Sequence, residues 1–362
     1  MKGEQIVRLF LENGFQLSKS ALSIISNNPE EIIFELKKIK PRPFLVTEEH
    51  VKKILKDINF RAVKFRLIKD FTINKKKLHV NDYIEHLLSR YEKIKSILIK
   101  QMSPEKLVSI NKITSRTTKF SIIGLVKKKN YNSLLVEDPT SEINVHFDEN
   151  KKKEFDSIFL DGILALQCEK KEEKFYVKKI IYPDVLSTTA IAKSKEEILI
   201  AFVVSIQDLT NEQTKKLIDR LLEIKNLSKI FVFNPKNLSK LTKLPQLNFI
   251  EIPTTPTPKL FQLDLIKILI IPNSFFNHYL ESPETSEVFT SMLKRRELIV
   301  GNCQIYNIHN DFVLDEIPDI VLSDFGRSVN LNYKGTTIIS NSNPKKVFTV
   351  NLKTREVEEI SL

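Results

Sequence analysis

"KFSIIGLVKKKNYNSLLVEDPTSEINVHF", residues 119–147, is where the apolar pattern of the chain changes from a helical period to alternation. "FSIIGLV", "SLLVED" and "INVHF" read as three strands separated by turn residues. Outward from them, "KKKEFDSIFL" reads as a short helix, and "GILALQCEK" and "KFYVKKIIYP" as two further strands. Five strands with one helix between the third and the fourth is the order of an OB-fold, expected over residues 115–185.

OB barrels commonly take single strands across strands two and three and the loop between strands one and two. That loop is "KKKNYN", so Lys127, Lys128, Lys129 and Tyr131 are the candidate nucleic-acid contacts: three ammonium groups for phosphates and one ring for a base. The plainer alternative is a solvated hairpin tip, since one aromatic is fewer than most stacking platforms use. A net charge of +12 and a pI near 9.3 favour anionic partners. Lysine dominates and is spread along the whole chain, so contact with DNA is expected to be weak and non-specific.

With 362 residues and 41% apolar composition, two or three domains with real cores are expected. The longest apolar runs, such as "ILIAFVVSI" from Ile198, reach about half the ~20 residues that span a bilayer. "MKGEQIVRLF" does not read as a signal sequence, so a cytoplasmic protein without a membrane partner is expected. Cys168 and Cys303 stand in separate strand-like segments without C-x-x-C spacing, which suggests buried thiols rather than a disulfide or a zinc site.

Residues 1–70 read as a helical module, with Asn28-Pro29-Glu30-Glu31 opening one helix and Thr47-Glu48-Glu49 another. Residues 71–114 read as a linker followed by the helix "YIEHLLSRYEKIKSILIKQ". From about Glu196, strands such as "EILIAFVVSI", "KIFVFN", "NFIEIP" and "IKILIIPN" alternate with the helices "TNEQTKKLIDRLLEIKNL" and "SPETSEVFTSMLKRRE". The strand-rich close, "FVLDEIPDIVLSD", "KGTTIIS" and "KVFTVNL", completes a mixed α/β sandwich over residues 195–362. In such sheets ligands sit beyond the carboxyl ends of the strands.

One strand end carries Asp324-Phe325-Gly326, the letters of a kinase magnesium motif. A kinase also needs a glycine-rich phosphate loop, a strand lysine and a His-Arg-Asp loop. The chain has seven glycines, none between 163 and 300, where ordinary usage gives roughly 25 over this length. Closely spaced glycines are required to cradle phosphates, so kinase, Rossmann and Walker A chemistry are excluded.

The blocks "SIIGLV…SLLVEDPTSEINV", "VFTSMLKRREL", "LDEIPDIVLSD…YKGTTIIS" and "VNLKTREVEEI" resemble the small subunit of the archaeal D-family DNA polymerase, over residues 85–362. "VRLFLENGFQLSKSAL" and "PRPFLVTEEHVKKIL" extend the resemblance more loosely to the N-terminus. It implies an α+β multidomain protein: a helical module, an OB-fold, and a calcineurin-like metallophosphoesterase sandwich that in archaeal members is a two-metal 3′ to 5′ exonuclease. Two metals clamp the attacking and leaving oxygens and need Asp, His and Asn ligands at the strand ends.

Those positions have lost their ligands. The family's Asp-x-His falls on Ser205-Ile206-Gln207, and its Gly-Asp on "FNPKN" with Asn234 and Lys236. Its Gly-Asn-His-Asp turn falls on Thr254, Thr255 and Pro256, a histidine on Pro272, and Gly-His-x-His on Phe325-Gly326-Arg327-Ser328. Asp324 then reads as a turn or capping residue. His278 and His309 are the two histidines beyond residue 147, and the carboxylates Asp311, Asp315, Glu316 and Asp319 read as a solvated edge or partner contact.

The resemblance therefore implies a non-catalytic accessory subunit without cofactor or small-molecule substrate, whose partner is a polymerase large catalytic subunit. Phe275, Phe276 and Tyr279 are the expected interface aromatics, the alternative being that they cap the sandwich's own core. Two rival functions are a metal-dependent 3′ to 5′ exonuclease and a freestanding OB-fold binder of single-stranded DNA.

Overall fold

The computed structural model describes residues 3–25, 29–37, 39–61, 65–71, 79–102, 107–186, 190–233, 247, 249–252, 257–278, 284–298 and 312–362. The N-terminal unit comprises α1 (Gly3–Glu12), β1 (Gln16–Leu17), α2 (Lys19–Ile24), α3 (Pro29–Leu36), β2 (Leu45–Val46) and α4 (Glu48–Arg61). The Ser18 hydroxyl caps α2 by accepting the Ala21 N–H at 3.1 Å. α3 begins on Pro29, whose missing N–H leaves nothing unsatisfied in a first turn. Phe10, Phe15, Ile32, Leu36 and Val51 form the core of the unit.

β3 (Phe65–Asp70) and α5 (Val80–Gln101) follow. The Asp82 carboxylate accepts the His79 N–H at 2.9 Å and closes the first turn of α5. Tyr91, Ile94 and Leu98 share one face of this helix and pack on Ile123, Ile163 and Ala165.

Those three residues belong to a closed barrel of β4 (Lys119–Lys129), β5 (Ser133–Asp138), β6 (Ser141–His146), β7 (Ile163–Lys171) and β8 (Lys174–Ile181). All five expected strands are present, and α6 (Lys152–Asp156) lies between the third and fourth of them. β4 pairs antiparallel with both β5 and β7, and the parallel bridge from His146 of β6 to Tyr176 of β8 closes the ring. β4 and β5 approach closely at Gly124, where a Cβ would stand 2.4 Å from Val136 Cγ1 and 2.8 Å from the Glu137 carbonyl oxygen, and β4 is irregular just beyond, between Val126 and Lys128. Phe120, Ile122, Val126, Leu134, Val136, Leu166 and Val177 fill the interior. Cys168 is among them, and burial pushes its thiol up to about 12; Cys303 lies outside the described residues.

The remaining chain forms β9 (Leu199–Val204), α7 (Asn211–Glu223), β10 (Leu227–Phe233), β11 (Phe249–Ile252), β12 (Lys259–Leu263), β13 (Ile266–Ile271) and α8 (Thr285–Arg295). β14 (Ile320–Ser323), β15 (Val329–Tyr333), β16 (Thr336–Ser340), β17 (Lys346–Asn351) and β18 (Val357–Ser361) complete it. They build two sheets, ordered β11-β10-β9-β17-β18 and β15-β16-β14-β13-β12-β3. Strand alternation decides what each sheet covers. Phe202, Val204, Phe231 and Phe348 of the first sheet meet Ile268, Ile270, Ile320 and Leu322 of the second between the layers. Ala201, Val203, Ile230 and Val232 point the other way, under Leu217 and Leu221 of α7. Leu269, Ile271, Val321 and Ile338 lie under Phe289, Met292 and Leu293 of α8. The result is a helix–sheet–sheet–helix sandwich in a mixed α/β protein.

β3 departs from the sequence expectation. Phe65–Asp70, expected at the end of the helical module, is the edge strand of the six-stranded sheet, antiparallel to β12 with Phe65 opposite Leu263. Its reason is visible in the core, where the Phe65 ring stacks on Phe261 at 4.6 Å between centroids and meets Phe231 edge-on at 5.6 Å. Among the described residues no helix is long and apolar enough to cross a membrane.

Candidate functional site

The carboxyl ends of the sandwich strands are held mostly by short neutral side chains, with one carboxylate, Asp324, among them. Ser323, buried at the end of β14, donates its hydroxyl to the Ile271 carbonyl at 2.7 Å and accepts the Phe325 N–H at 3.2 Å. Ser340, at the end of β16, donates to the Phe325 carbonyl. Ser328 donates to Asn341 Oδ1 at 3.1 Å, while Asn341 Nδ2 donates to the carbonyls of Asn343 at 3.1 Å and Lys346 at 2.9 Å. Asp324 lies in the same turn, and its Oδ1 accepts the Asn273 N–H at 2.6 Å. This fastens the turn that follows Pro272 to the end of β14.

Gly326 has φ +64°, and a Cβ there would stand 2.3 Å from Thr285 Oγ1, which accepts the Arg327 N–H at 3.0 Å. The glycine therefore lets this turn press on the first residue of α8. Ser205 leaves β9 in the left-handed conformation, φ 44°, with its N–H on the Phe233 carbonyl at 3.0 Å. Gln207 follows in a single 3-10 turn. Asn234, Thr254 and Thr255 lie outside the described residues. The described positions thus supply neutral hydroxyls and amides, of which Ser328 bonds to Asn341 while Gln207 Oε1 is buried with no partner among the described residues.

The barrel tip does not gather its three lysines. Lys127 pairs with Glu137 at 2.9 Å and Glu142 at 3.0 Å, and these hydrogen-bonded carboxylates hold its ammonium above its ordinary value. Lys129 turns to the other side of the strand and donates to the carbonyls of Asp156 at 3.0 Å and Ile158 at 3.2 Å. Its ammonium lies 4.7 Å from the centroid of the Phe155 ring, and burial holds it below the usual lysine range. Lys128 is exposed. Tyr131 is 84% exposed, with Lys152 Nζ 4.5 Å from its ring centroid. The group at this tip is Tyr131 with Lys152, and a bulge in β4 between Val126 and Lys128 takes Lys127 out of the regular alternation that would set it on the side of Lys129.

Phe275 and Phe276 are 1% and 4% exposed. The expectation of an exposed aromatic patch is corrected: Phe276 stacks on Phe325 at 3.9 Å and meets Phe289 edge-on, so both rings belong to the core beneath α8. Tyr279 and the His278 side chain lie outside the described residues, as do His309 and Asp311. Asp315 pairs with Lys69 at 3.0 Å and Glu316 with Lys267 at 2.9 Å. Asp319 Oδ2 accepts the Lys267 N–H at 2.8 Å, and burial raises its carboxyl. Among the described residues no three His, Cys, Asp or Glu side chains gather at metal-binding distance.

The strongest electrostatics lie where barrel, α5 and sandwich meet. Arg90 of α5 pairs with Glu297 and, at 3.2 Å, with Asp161 of the loop before β7. Arg295 reaches Glu297 at 3.4 Å and the Asp161 carbonyl at 3.3 Å. Burial opposes the Arg90 charge, but Glu297 and Asp161 outweigh it and hold the guanidinium above its ordinary value. Arg296 donates to the Pro183 carbonyl at 3.1 Å, and burial lowers it despite Asp184 and Asp315 nearby. Asp184 also accepts Tyr333 Oη at 3.0 Å and Lys334 Nζ at 2.6 Å. In the sequence Lys294-Arg295-Arg296 reads as a helix-closing cation run, which hides this joint. The missed signal was Arg90 itself, four residues before Ile94 and eight before Leu98 on the buried stripe of a helix.

No family model matches the chain, and no curated protein is significantly similar to it. A solved structure similar to it is the solution NMR structure of the Thermotoga maritima protein TM1076, 12% identical, covering 46% of this chain and 99% of that one with a TM-score of 0.28. A likeness that slight bears on neither fold nor function.

Proposed function

We propose that the chain is a non-catalytic accessory subunit of a D-family-like replicative DNA polymerase, which scaffolds and stabilises the large catalytic subunit. The observation that carries this reading is the donor set at the sandwich strand ends, where Ser323, Ser328, Ser340 and Asn341 bond to each other and to backbone. A two-metal centre needs anionic or imidazole ligands. The neutral hydroxyls and amides do not fit such a pair, and they offer no base to activate a water. Support also comes from layout. The barrel order, with the fifth strand between the third and the fourth, fits an OB-fold, and the four layers behind it fit a calcineurin-like phosphoesterase. That succession is the architecture implied by the sequence blocks.

Coexpression with a D-family large subunit, followed by size-exclusion chromatography with mass determination, is the test. A stable heteromer is expected, with a melting temperature above that of the chain alone, because a partner that binds only the folded state stabilises it. Two tightly held manganese ions with chelator-sensitive exonuclease activity replace this reading with the exonuclease. The exposed Tyr131 beside Lys152 favours a second reading, a freestanding single-strand binder. A monomer that ignores the large subunit and binds oligonucleotide unaided decides for it.

A further inference from the structure

The outer face of the barrel carries two kinds of side chain. On β5 and β6, Glu137 stands opposite Glu142, and the two carboxylates hold Lys127 at 2.9 and 3.0 Å. Leu135 and Asn144 are the next pair. Rings begin where these pairs end. His146, the last residue of β6, lies opposite Ser133 on one side and bridges Tyr176 of β8 on the other, with 5.8 Å between the ring centroids. Alternation keeps Lys174, Tyr176 and Lys178 on the outer side of β8, while Phe175 and Val177 pack into the barrel. The Phe147 N–H bonds to the Asn132 carbonyl at 2.9 Å, which sets the hairpin tip and its Tyr131 beside His146. Each ring has an ammonium group with it. Lys152 Nζ stands 4.5 Å from the Tyr131 centroid and Lys171 Nζ 4.9 Å from that of Tyr176. Burial, and then the charge of Lys174 across the hairpin from Lys171, hold the His146 imidazole below its ordinary value.

We infer that this end of the barrel binds single-stranded nucleic acid, with bases stacked on Tyr131, His146 and Tyr176 and phosphates met by Lys152 and Lys174. The strand crosses the seam between β6 and β8 rather than lying along β5 and β6, whose outer positions present paired charge. Every base offers a ring its π-face, and every intervening phosphate wants a cation, so alternating rings and ammonium groups suit a single strand of any sequence. A duplex keeps its bases stacked inside and leaves the rings nothing to hold. The carboxylates of this end are already engaged: Asp148 with Lys171 at 3.0 Å, Glu169 with Lys119 at 3.4 Å and Lys178 at 3.2 Å, and Glu173 with Lys170 at 3.4 Å. Lys152 and Lys174 are exposed and have no carboxylate partner among the described residues, which leaves them to phosphates. The site belongs to the chain itself, whether it stands alone or beside a large subunit.

The test is fluorescence anisotropy of the full chain with a labelled oligothymidylate of about 16 nucleotides, the upper end of what one OB-fold covers. His146→Ala with Tyr176→Ala is expected to weaken binding roughly a hundredfold, about tenfold for each ring. Lys152→Ala with Lys174→Ala is expected to flatten the slope of log affinity against log salt by about 1.4; this exposed pair decides the matter if the ring variant fails to fold. Lys215→Ala with Lys216→Ala, the same loss of charge on α7, should leave the slope unchanged. Tyr176→Trp introduces the sole indole into a chain without tryptophan, and its emission is expected to fall as oligonucleotide is added. Wild-type affinity in the ring variant, or steady indole emission, overturns the site. Equal affinity for a duplex of the same length, or equal flattening by both lysine pairs, assigns the binding to net charge and overturns it as well. Absence of wild-type binding overturns the site and leaves the accessory role standing.

Discussion

Two polar clusters anchor the sandwich, one at its strand ends and one at its joint with α5 and the barrel, and they are built from different materials. At the strand ends, Ser323, Ser340 and Asn341 bond to backbone and Ser328 to Asn341, neutral groups beside the single carboxylate of Asp324 on the Asn273 N–H. At the joint, Arg90, Arg295, Glu297 and Asp161 bring full charges out of water, with Glu297 3% exposed. Neutral hydrogen bonds are cheap to bury and modest in effect, whereas a buried ion is tolerable only while its partner stays. The strand ends are held mostly by ordinary neutral packing. The charges stand instead where barrel meets sandwich, which makes their relative placement the property most sensitive to mutation.

Deleting one ion should therefore have the largest effect. Glu297→Ala leaves Arg90 and Arg295 without their shared carboxylate and is expected to cost about 3–5 kcal/mol, read from the urea midpoint. A loss under about 1 kcal/mol would mean that water reaches the joint and that the contrast with the strand ends is false. Gly326→Ala comes next, at about 2 kcal/mol, because the new methyl meets Thr285 Oγ1 and the backbone is left-handed there; an unchanged melting temperature would show that the turn gives way freely. Ser328→Ala removes one neutral bond and is expected to cost about 1 kcal/mol, since Asn341 Oδ1 still accepts the Asn343 N–H. Introducing charge there should create no chemistry. Ser205→Asp with Gln207→His is expected to leave manganese-dependent exonuclease activity at background, and measurable turnover would break the comparison outright.

The smallest effect is one of pH. Burial raises the Asp138 carboxyl of the barrel, but hydrogen bonds from Thr140 Oγ1 and from the Ile110, Thr140 and Ser141 N–H groups outweigh it and hold the group below its ordinary value. Its stabilisation is present above the unfolded pKa and is lost as pH falls through the depressed folded one. Asp319 in the sandwich has the reverse sign, since burial raises it. Its penalty is complete above the raised folded pKa and disappears as pH falls to the unfolded value. Stability measured from pH 7 down into the acid limb should lose part of its fall in Asp138→Asn, whereas in Asp319→Asn the fall should steepen. Identical curves for both variants would mean that solvent screens the two sites alike.

The barrel and the major helices of the sandwich were legible because each is a local pattern. Alternation in "SLLVED" and the apolar stripe of "EVFTSMLKRR" are set by neighbours two to four residues away, and both elements are present. Phe275 and Phe276 were less so, since adjacent aromatics in a turn look alike whether they face solvent or a helix packed above them. Lys127 and Lys129, two positions apart, would share one side of a regular strand, and they part because β4 bulges between Val126 and Lys128, which no local letter announces. Arg90 with Glu297, and β3 with β12, depend on partners about two hundred residues away, and nothing local announces either.

β3 also sets a timetable for biogenesis. Arg66 meets its partner Gln262 across 196 residues of chain. At ribosomal rates of roughly 5–20 residues per second, the strand therefore waits on the order of 10–40 seconds before β12 leaves the tunnel. During that interval the N-terminal helices and the barrel can mature vectorially, while Phe65 and an unpaired strand edge stay available to any passing segment. Recombinant production at a slower translation rate lengthens that exposure, so the nascent chain rather than the finished protein is where holdase chaperones matter.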